Sequence, residues 1–270
     1  MSIAVVMATG NEESMLRPCL ELLGWADEIV LVIDARSSDA TEEIAREFTD
    51  KVYVREFDTF SGQRNYGISK SSADWVLVVD ADERVTPALA EEILEVTADP
   101  GDHVAYHAVQ SLFAFGRLFR HGGSRAPNVR LIRRSHARYS GDIHETFQFE
   151  GRAGMLREEL WHFTHRDIAG LLRKTIVFGE LQAQEMLEAR HPDVTVRSLV
   201  RAPMKALRYR MITHRAFLDG IEGTIDALYL AFWRFCEQVM LWEKQRAPSL
   251  ESTYAELERA AREHHRPGSA

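Results

Sequence analysis

Through the first hundred positions, short apolar runs alternate with amphipathic stretches, and each run is closed by polar or charged residues. Residues 3–8 are apolar throughout and predict a buried strand. After it, Asn11 is placed to cap a helix. Glu12 and Glu13 suit the first turn, and Met15, Leu16, Cys19, Leu20 and Leu23 supply the buried stripe, closed by Gly24. Residues 28–33 predict a second strand ending at Asp34, and Ser37 to Thr41 offers caps for a helix to Phe48. Residues 51–55 and 75–80 predict two further strands, with a helix starting near Phe60 between them. Thr86 then caps a helix with Pro87 in its first position, running to about Thr97. Four strand–helix alternations predict an α/β fold with a doubly wound, mostly parallel sheet.

Beyond residue 100 the pattern changes to short strands at 103–109, 129–133, 146–149 and 159–163, which read as a second half completing a site at the edge of the first. From Ile168 the chain becomes helical. Leu172, Ile176, Ala183, Met186 and Leu187 keep one stripe, ended by His191-Pro192. Residues 224–242 are apolar around most of a helix yet carry Asp226, Arg234 and Glu237, which fits a buried or interfacial helix and not a membrane span. Residues 247–270 read as a charged amphipathic helix. The expected division is 1–100, 101–167 and a helical extension over 168–270.

Composition changes this picture little, and charge changes it in one place. A hydrophobic fraction of 45% and a charged fraction of 27% are those of an ordinary globular protein. The net charge of −8 argues against a nucleic-acid partner. Yet from Arg197 to Ala216 there are Arg197, Arg201, Lys205, Arg208, Arg210 and Arg215 and no acid. The plain reading of that stretch is a solvated basic helix face; the functional one is a surface resting on the anionic inner leaflet of a membrane. Cys19 and Cys236, far apart in sequence, suggest two reduced thiols and a cytoplasmic protein, peripheral on the inner membrane if that surface is used. Met1-Ser2 runs straight into the first strand, so no signal peptide is expected.

The chemistry gathers where the run Trp75-Val76-Leu77-Val78-Val79 ends in Asp80-Ala81-Asp82-Glu83. Ligands of open α/β sheets sit beyond the carboxyl ends of strands. On an extended backbone Asp80 and Asp82 would point to the same side. Two hard oxygen donors suit Mg²⁺ or Mn²⁺ bridging a pyrophosphate. The competing reading of any Asp-x-Asp is a strand that simply ends in polar turn residues. Neither a Gly-x-Gly-x-x-Gly turn nor a Gly-Lys-Ser/Thr phosphate loop is present.

The series Ala8-Thr9-Gly10-Asn11-Glu12-Glu13, Asp34-Ala35-Arg36-Ser37-Ser38-Asp39-Ala40-Thr41, Gln63-Arg64-Asn65-Tyr66 and Asp80-Ala81-Asp82-Glu83-Arg84 resembles family 2 glycosyltransferases of the GT-A fold. Within that family it is most similar to bacterial β-glucosyltransferases of lipopolysaccharide core biosynthesis. Further along, Asn128 to Arg134, Ile143-His144-Glu145, His162 and Phe217 to Gly223 extend the resemblance, which covers residues 3 to about 243. It implies a nucleotide-sugar-binding half over 1–100, an acceptor-binding half over 101–167 and a C-terminal helical extension, whose basic stretch or last helices offer a surface to a membrane or a second copy of the chain.

The resemblance further implies metal-dependent, inverting transfer of a hexose from a nucleoside diphosphate sugar, UDP-glucose first, to a saccharide or lipid-linked saccharide. The alternatives are a catalytically silent nucleotide-sugar or glycan binder, or transfer to a small metabolite or peptide. Thr9, Asn11 and Glu12 would line the nucleoside pocket and Asp34 would meet the base or ribose. Arg64 and Asn65 would approach the nucleotide. Asp80 would face ribose or a metal-bound water, Asp82 would ligate Mg²⁺ or Mn²⁺, and His162 would add a ligand, with His165 in reserve. Asp142, His144 and Glu145 are the candidates for the base that takes the acceptor's proton, Glu145 foremost. Arg130 and Arg133 would help hold acceptor or phosphate. Two departures stand out: Arg36 occupies a position where glycine is usual, and Gly10 one where Lys or Arg is common.

Overall fold

A computed structural model describes residues 1–122, 126–141 and 146–264. The chain divides into two compact units: Met1–Ala114 with Ser124–Thr164, and Phe115–Gly123 with His165–Ala270. The first unit runs β1 (Ile3–Thr9), α1 (Glu13–Leu20), β2 (Glu28–Asp34), α2 (Thr41–Arg46), β3 (Val52–Arg55), α3 (Phe60–Lys70), β4 (Trp75–Val78), β5 (Glu83–Arg84), α4 (Pro87–Ala98), β6 (His103–Ala108) and β7 (Gln110–Ala114). The short strand β8 (Arg117–Leu118) lies in the second unit. The first unit resumes with β9 (Asn128–Arg133), β10 (Tyr139–Ser140), β11 (Thr146–Phe147), β12 (Arg152–Met155) and β13 (Leu160–Phe163).

Among the described residues the main sheet has the order β12-β6-β9-β4-β1-β2-β3. β1 pairs in parallel with β2 and β4, β2 with β3, and β6 with β12, whereas β9 runs antiparallel between β4 and β6. The sheet is therefore mixed and mostly parallel, as the alternating pattern predicts. Alternate residues feed two cores. Ile3, Val5, Met7, Leu31, Ile33 and Leu77 pack with Leu16 and Leu20 of α1 and Leu89 and Ile93 of α4. Val6, Val30, Val76, Val78 and Ile132 pack with Ile68 of α3. α3 lies so close to the sheet that a Cβ on Gly67 would stand 2.6 Å from the Val6 side chain. That contact requires glycine.

Two local expectations fail. Asn11 does not cap α1: it adopts a left-handed backbone with φ 54°, and its side chain bonds the backbone of Ser38. Cap chemistry and αL tolerance belong to the same residue type, and a tertiary partner decided between them. The central strand also stops at Val78, so Asp80 and Asp82 follow it in a turn and do not share a side by strand alternation.

The second unit contains α5 (Ile168–Glu188), α6 (Val196–Arg208), a π-helical turn over Tyr209–Thr213, α7 (Gly220–Gln245) and α8 (Leu250–His264). Asp219 ties the segment ending at Gly122 to these helices by accepting from the backbone N–H groups of Arg120, His121 and Gly122 at 2.9, 2.9 and 2.6 Å. Three such bonds explain why a segment flanked in sequence by the first unit folds with the second. No helix among the described residues is long and apolar enough to cross a membrane.

The edge of the sheet before β4 is held by Glu28, whose carboxylate accepts from the Ser72 N–H and hydroxyl and pairs with Lys51 at 3.1 Å. Burial works against its charge, but these partners lower its pKa to about 2. A carboxyl whose folded pKa is depressed stabilises the fold above its unfolded pKa and loses that contribution as pH falls through the folded value. We expect urea melts of wild type to lose about 1–2 kcal/mol between pH 4.5 and 2 from this group, after discounting for solvent screening. In Glu28→Gln that part of the pH dependence should vanish.

Candidate functional site

Where β4 ends, the backbone closes a turn: the Asp80 N–H donates to a Glu83 carboxylate oxygen at 2.8 Å, and the Glu83 N–H donates to the Asp80 carbonyl at 2.9 Å. Around this turn two acids and two guanidinium groups are packed together. Asp80 accepts from Arg64 on α3 at 2.8 Å and lies 3.6 Å from Arg130 on β9. Arg130 also donates to Glu83 at 2.7 Å, and the Gln110 amide donates to the same Glu83 oxygen. Arg130 reaches the turn because β9 runs beside β4. Glu83 is fully buried, and burial pushes its pKa up to about 7 despite the opposing pull of Arg130. Burial works against the Asp80 charge too, yet Arg64 and Arg130 hold its pKa well below the ordinary carboxylate range.

Asp82 points elsewhere. β5 pairs antiparallel with β13, setting His162 opposite Glu83, and the Phe163 N–H donates to the Asp82 carbonyl at 2.8 Å. This pairing brings His162 Nε2 to 3.1 Å from Asp82 Oδ2, across 80 residues of sequence. Burial pulls the His162 pKa down, but the Asp82 carboxylate more than offsets it and the net shift is upward. The Asp82 carboxylate offers hard oxygen donors of the kind Mg²⁺ or Mn²⁺ takes, and the His162 imidazole, hydrogen-bonded to it, is a softer nitrogen donor alongside. Asp82 therefore fits the implied ion as an oxygen donor, and His162 would join it only as the neutral imidazole. Asp80 is committed to arginine, and no cluster of three or more His, Cys, Asp or Glu among the described residues is arranged to hold a metal.

At the carboxyl ends of β1 and β2 the two following loops are laced together. The N–H groups of Asn11, Glu12 and Glu13 donate to Ser37 Oγ, Thr41 Oγ1 and Asp39 Oδ2, at 2.8, 2.8 and 3.0 Å. Ser37, Asp39 and Thr41, legible from sequence only as helix caps, thus position the first loop. Thr9 Oγ1 is buried at the end of β1 with no partner among the described residues. A Cβ on Gly10 would stand 2.9 Å from Asp34 Cβ, so any side chain there would have to displace Asp34. Arg36 forks onto Asp34, with its closest contact at 2.6 Å, and lowers that carboxyl's pKa. Its guanidinium also lies 4.9 Å from the centre of the Phe57 ring.

Asn65 faces neither loop. Its amide donates to the Tyr139 carbonyl at 3.0 Å and accepts from the Tyr139 N–H at 2.9 Å, fixing β10 to α3. Arg64 stacks 5.4 Å from the Tyr139 ring centre. Arg133 lies over Trp75 and bonds the His103 carbonyl. His165 belongs to the second unit, where its Nδ1 is 3.1 Å from Asp226. Asp142, His144 and Glu145 lie outside the described residues.

A family profile described as Glycosyl transferase family 2 matches residues 4–164, more than half of the chain. The chain belongs to glycosyl transferase family 2. As a member of that family it is a nucleotide-sugar glycosyltransferase with a GT-A domain. A lipopolysaccharide core biosynthesis glycosyltransferase of Rhizobium meliloti is 27% identical over 243 residues, covering 87% of this chain and 89% of the relative. An uncharacterized glycosyltransferase of Rickettsia conorii is 24% identical, covering 89% and 90%. Among solved structures, a Pyrobaculum calidifontis mannosyltransferase in complex with GDP-Man and Mn²⁺ matches at TM-score 0.46 and 14% identity, covering 98% and 81%. S. aureus TarS 1-349 in complex with UDP-GlcNAc matches at TM-score 0.44 and 15% identity, covering 92% and 93%.

Within this family-2 domain, Arg130 is the keystone of the charged turn. Arg130→Met leaves Glu83 buried without its cation and should cost about 3–5 kcal/mol in urea unfolding. Adding Glu83→Gln removes the stranded charge. The double variant should be more stable than Arg130→Met alone, a coupling that a double-mutant cycle reads directly.

Proposed function

We propose that this chain is a metal-dependent, inverting hexosyltransferase that moves a sugar from a nucleoside diphosphate donor, UDP-glucose first, to a saccharide or lipid-linked saccharide in envelope glycan or lipopolysaccharide synthesis. The observation that carries the reading is the Asp82–His162 pair, an oxygen and a nitrogen donor converging beyond the central strand of a family 2 domain. The Rhizobium meliloti relative, named for lipopolysaccharide core biosynthesis, supports the acceptor class. The resemblance to core β-glucosyltransferases supports the donor.

In this reading Thr9 and the Asp34 loop line the nucleoside end of the donor, and the Arg64–Asp80–Arg130 cluster gives that end a rigid, charge-balanced floor. Asp82, with His162 beside it, would hold Mg²⁺ or Mn²⁺, which when bound would supply positive charge to the departing diphosphate. The acceptor oxygen attacks C1 from the face opposite the diphosphate, the C1–O bond to the leaving group breaks, and the acceptor's proton passes to a base. Glu145, with His144 and Asp142 beside it in sequence, is the base in this mechanism. Because Arg36 already neutralises Asp34, donor bases that need a free carboxylate there should compete poorly.

The test is a thermal-shift screen of nucleoside diphosphate sugars with and without Mn²⁺, on wild type and Asp82→Ala, followed by a nucleoside diphosphate release assay. One donor at about 100 times its dissociation constant should stabilise wild type by roughly 2.7 kcal/mol, and only with metal. Asp82→Ala should lose that shift and at least about a hundredfold in turnover. A metal-dependent shift without release of diphosphate in the presence of any saccharide acceptor would point to a silent binder. No shift at all in a folded sample would overturn the site.

A further inference from the structure

The helical unit carries a surface that the transfer reaction does not use. On α6, Val196, Val200 and Met204 recur at every fourth position and are 80%, 60% and 57% exposed. Another edge, through Leu199, Ala202 and Ala206, is partly buried, and α6 packs against α7. Beside the exposed apolar edge stand Arg197, Arg201, Lys205 and Arg208. None of these four forms an ion pair among the described residues. On α7, Ile221, Ile225, Leu228, Phe232 and Phe235 make a second exposed stripe at spacings of three and four. The acids of α7 do not answer the cations of α6. Asp226 and Glu237 are buried, the first against His165 and Arg210, the second against Arg234, and Glu222 pairs with Arg117.

The two helices enclose a groove of about 790 Å³. It is lined by the exposed apolar side chains Met204, Ile212 and Leu228 together with the cations Arg201, Lys205 and Arg208. We propose that this α6–α7 face docks on a bilayer of anionic lipid, the apolar stripe entering the acyl boundary and the cations meeting lipid phosphates. Charge chooses this occupant. A chain of net charge −8 presents Arg197, Arg201, Lys205 and Arg208 along α6, in a stretch with no acid between residues 197 and 216, the arrangement that an anionic surface attracts while repelling the rest of the protein. A second copy of the chain fits worse. A two-fold interface sets the same patch against itself, so unpaired cations would meet unpaired cations. Amphipathic helices with basic polar faces bind membranes through these two contributions together, buried apolar area and attraction to anionic headgroups.

The test is vesicle co-sedimentation of the full chain, without donor or acceptor, so that its result is independent of the transferase reading. Vesicles of phosphatidylcholine alone are compared with vesicles that also contain phosphatidylglycerol. Wild type should sediment with the anionic vesicles and weaken as salt is raised. The pair Arg201→Glu and Lys205→Glu should reduce partitioning by roughly tenfold or more, since each basic residue near an anionic surface contributes about fivefold, the equivalent of about 1 kcal/mol. Met204→Glu with Leu228→Glu should reduce it at low salt as well, and unchanged melting temperatures would confirm that these exposed substitutions leave the fold intact. Failure of wild type to bind anionic vesicles at low salt, or binding indifferent to both pairs of substitutions, would overturn the proposal. So would a wild-type dimer in sedimentation analysis that Met204→Glu dissociates, which would assign the face to self-association.

Discussion

Two carboxylates and two guanidinium groups at the end of β4 set the constraint on which the first unit depends. Buried charge is costly unless paired, and here each charge has a partner on a different element: Arg64 on α3, Asp80 in the turn, Glu83 on β5 and Arg130 on β9. The cluster works only if the helix below the sheet, the antiparallel strand beside β4 and the turn after it are all in place. It therefore couples the correct docking of β9 to the shape of the turn that presents Asp82. Glu83 marks how finely this is balanced, since burial lifts its pKa to about 7 even with Arg130 against it.

Asp80 is committed to this cluster, whereas Asp82 is turned away from it and a second strand pairing sets its partner. The β5–β13 ladder carries His162 to Asp82, so the candidate metal site is built from two strands that meet only in the tertiary structure. At the nucleoside end the same economy of partners appears. Asn11, Glu12 and Glu13 are held by Ser37, Asp39 and Thr41, and Asp34 is held by Arg36. Positions 10 and 36 are linked through Asp34. Gly10 is required by the close approach of Asp34, and Arg36 supplies beside that carboxylate a positive charge that position 10 cannot.

The second unit uses charge differently. Its buried acids are satisfied internally: Asp219 gathers three backbone N–H groups, and Asp226 faces His165 and Arg210. Its basic residues on α6 point outward and form no ion pair among the described residues. Segregating charge in this way leaves one face cationic on a chain that is acidic as a whole, with large apolar side chains exposed along the same helices.

Much of this was legible in the sequence alone. Continuous apolar runs determined the strands of the parallel half, the Thr86-Pro87 signature determined the start of α4, and the ordered motifs determined the family, because these depend on local periodicity, local capping and residue identity. The basic stretch on α6 was equally plain. Tertiary structure alone decided that β9 inserts antiparallel beside β4, that Asp80 is an ion-pair partner, that Asn65 secures Tyr139, and that Asn11 takes a left-handed turn where a cap was expected. Each of these is settled by a partner tens of residues away. A carboxylate or an amide has the same intrinsic chemistry toward a cation, a metal or a backbone N–H, and which of them it meets is fixed only when the sheet brings distant strands into register.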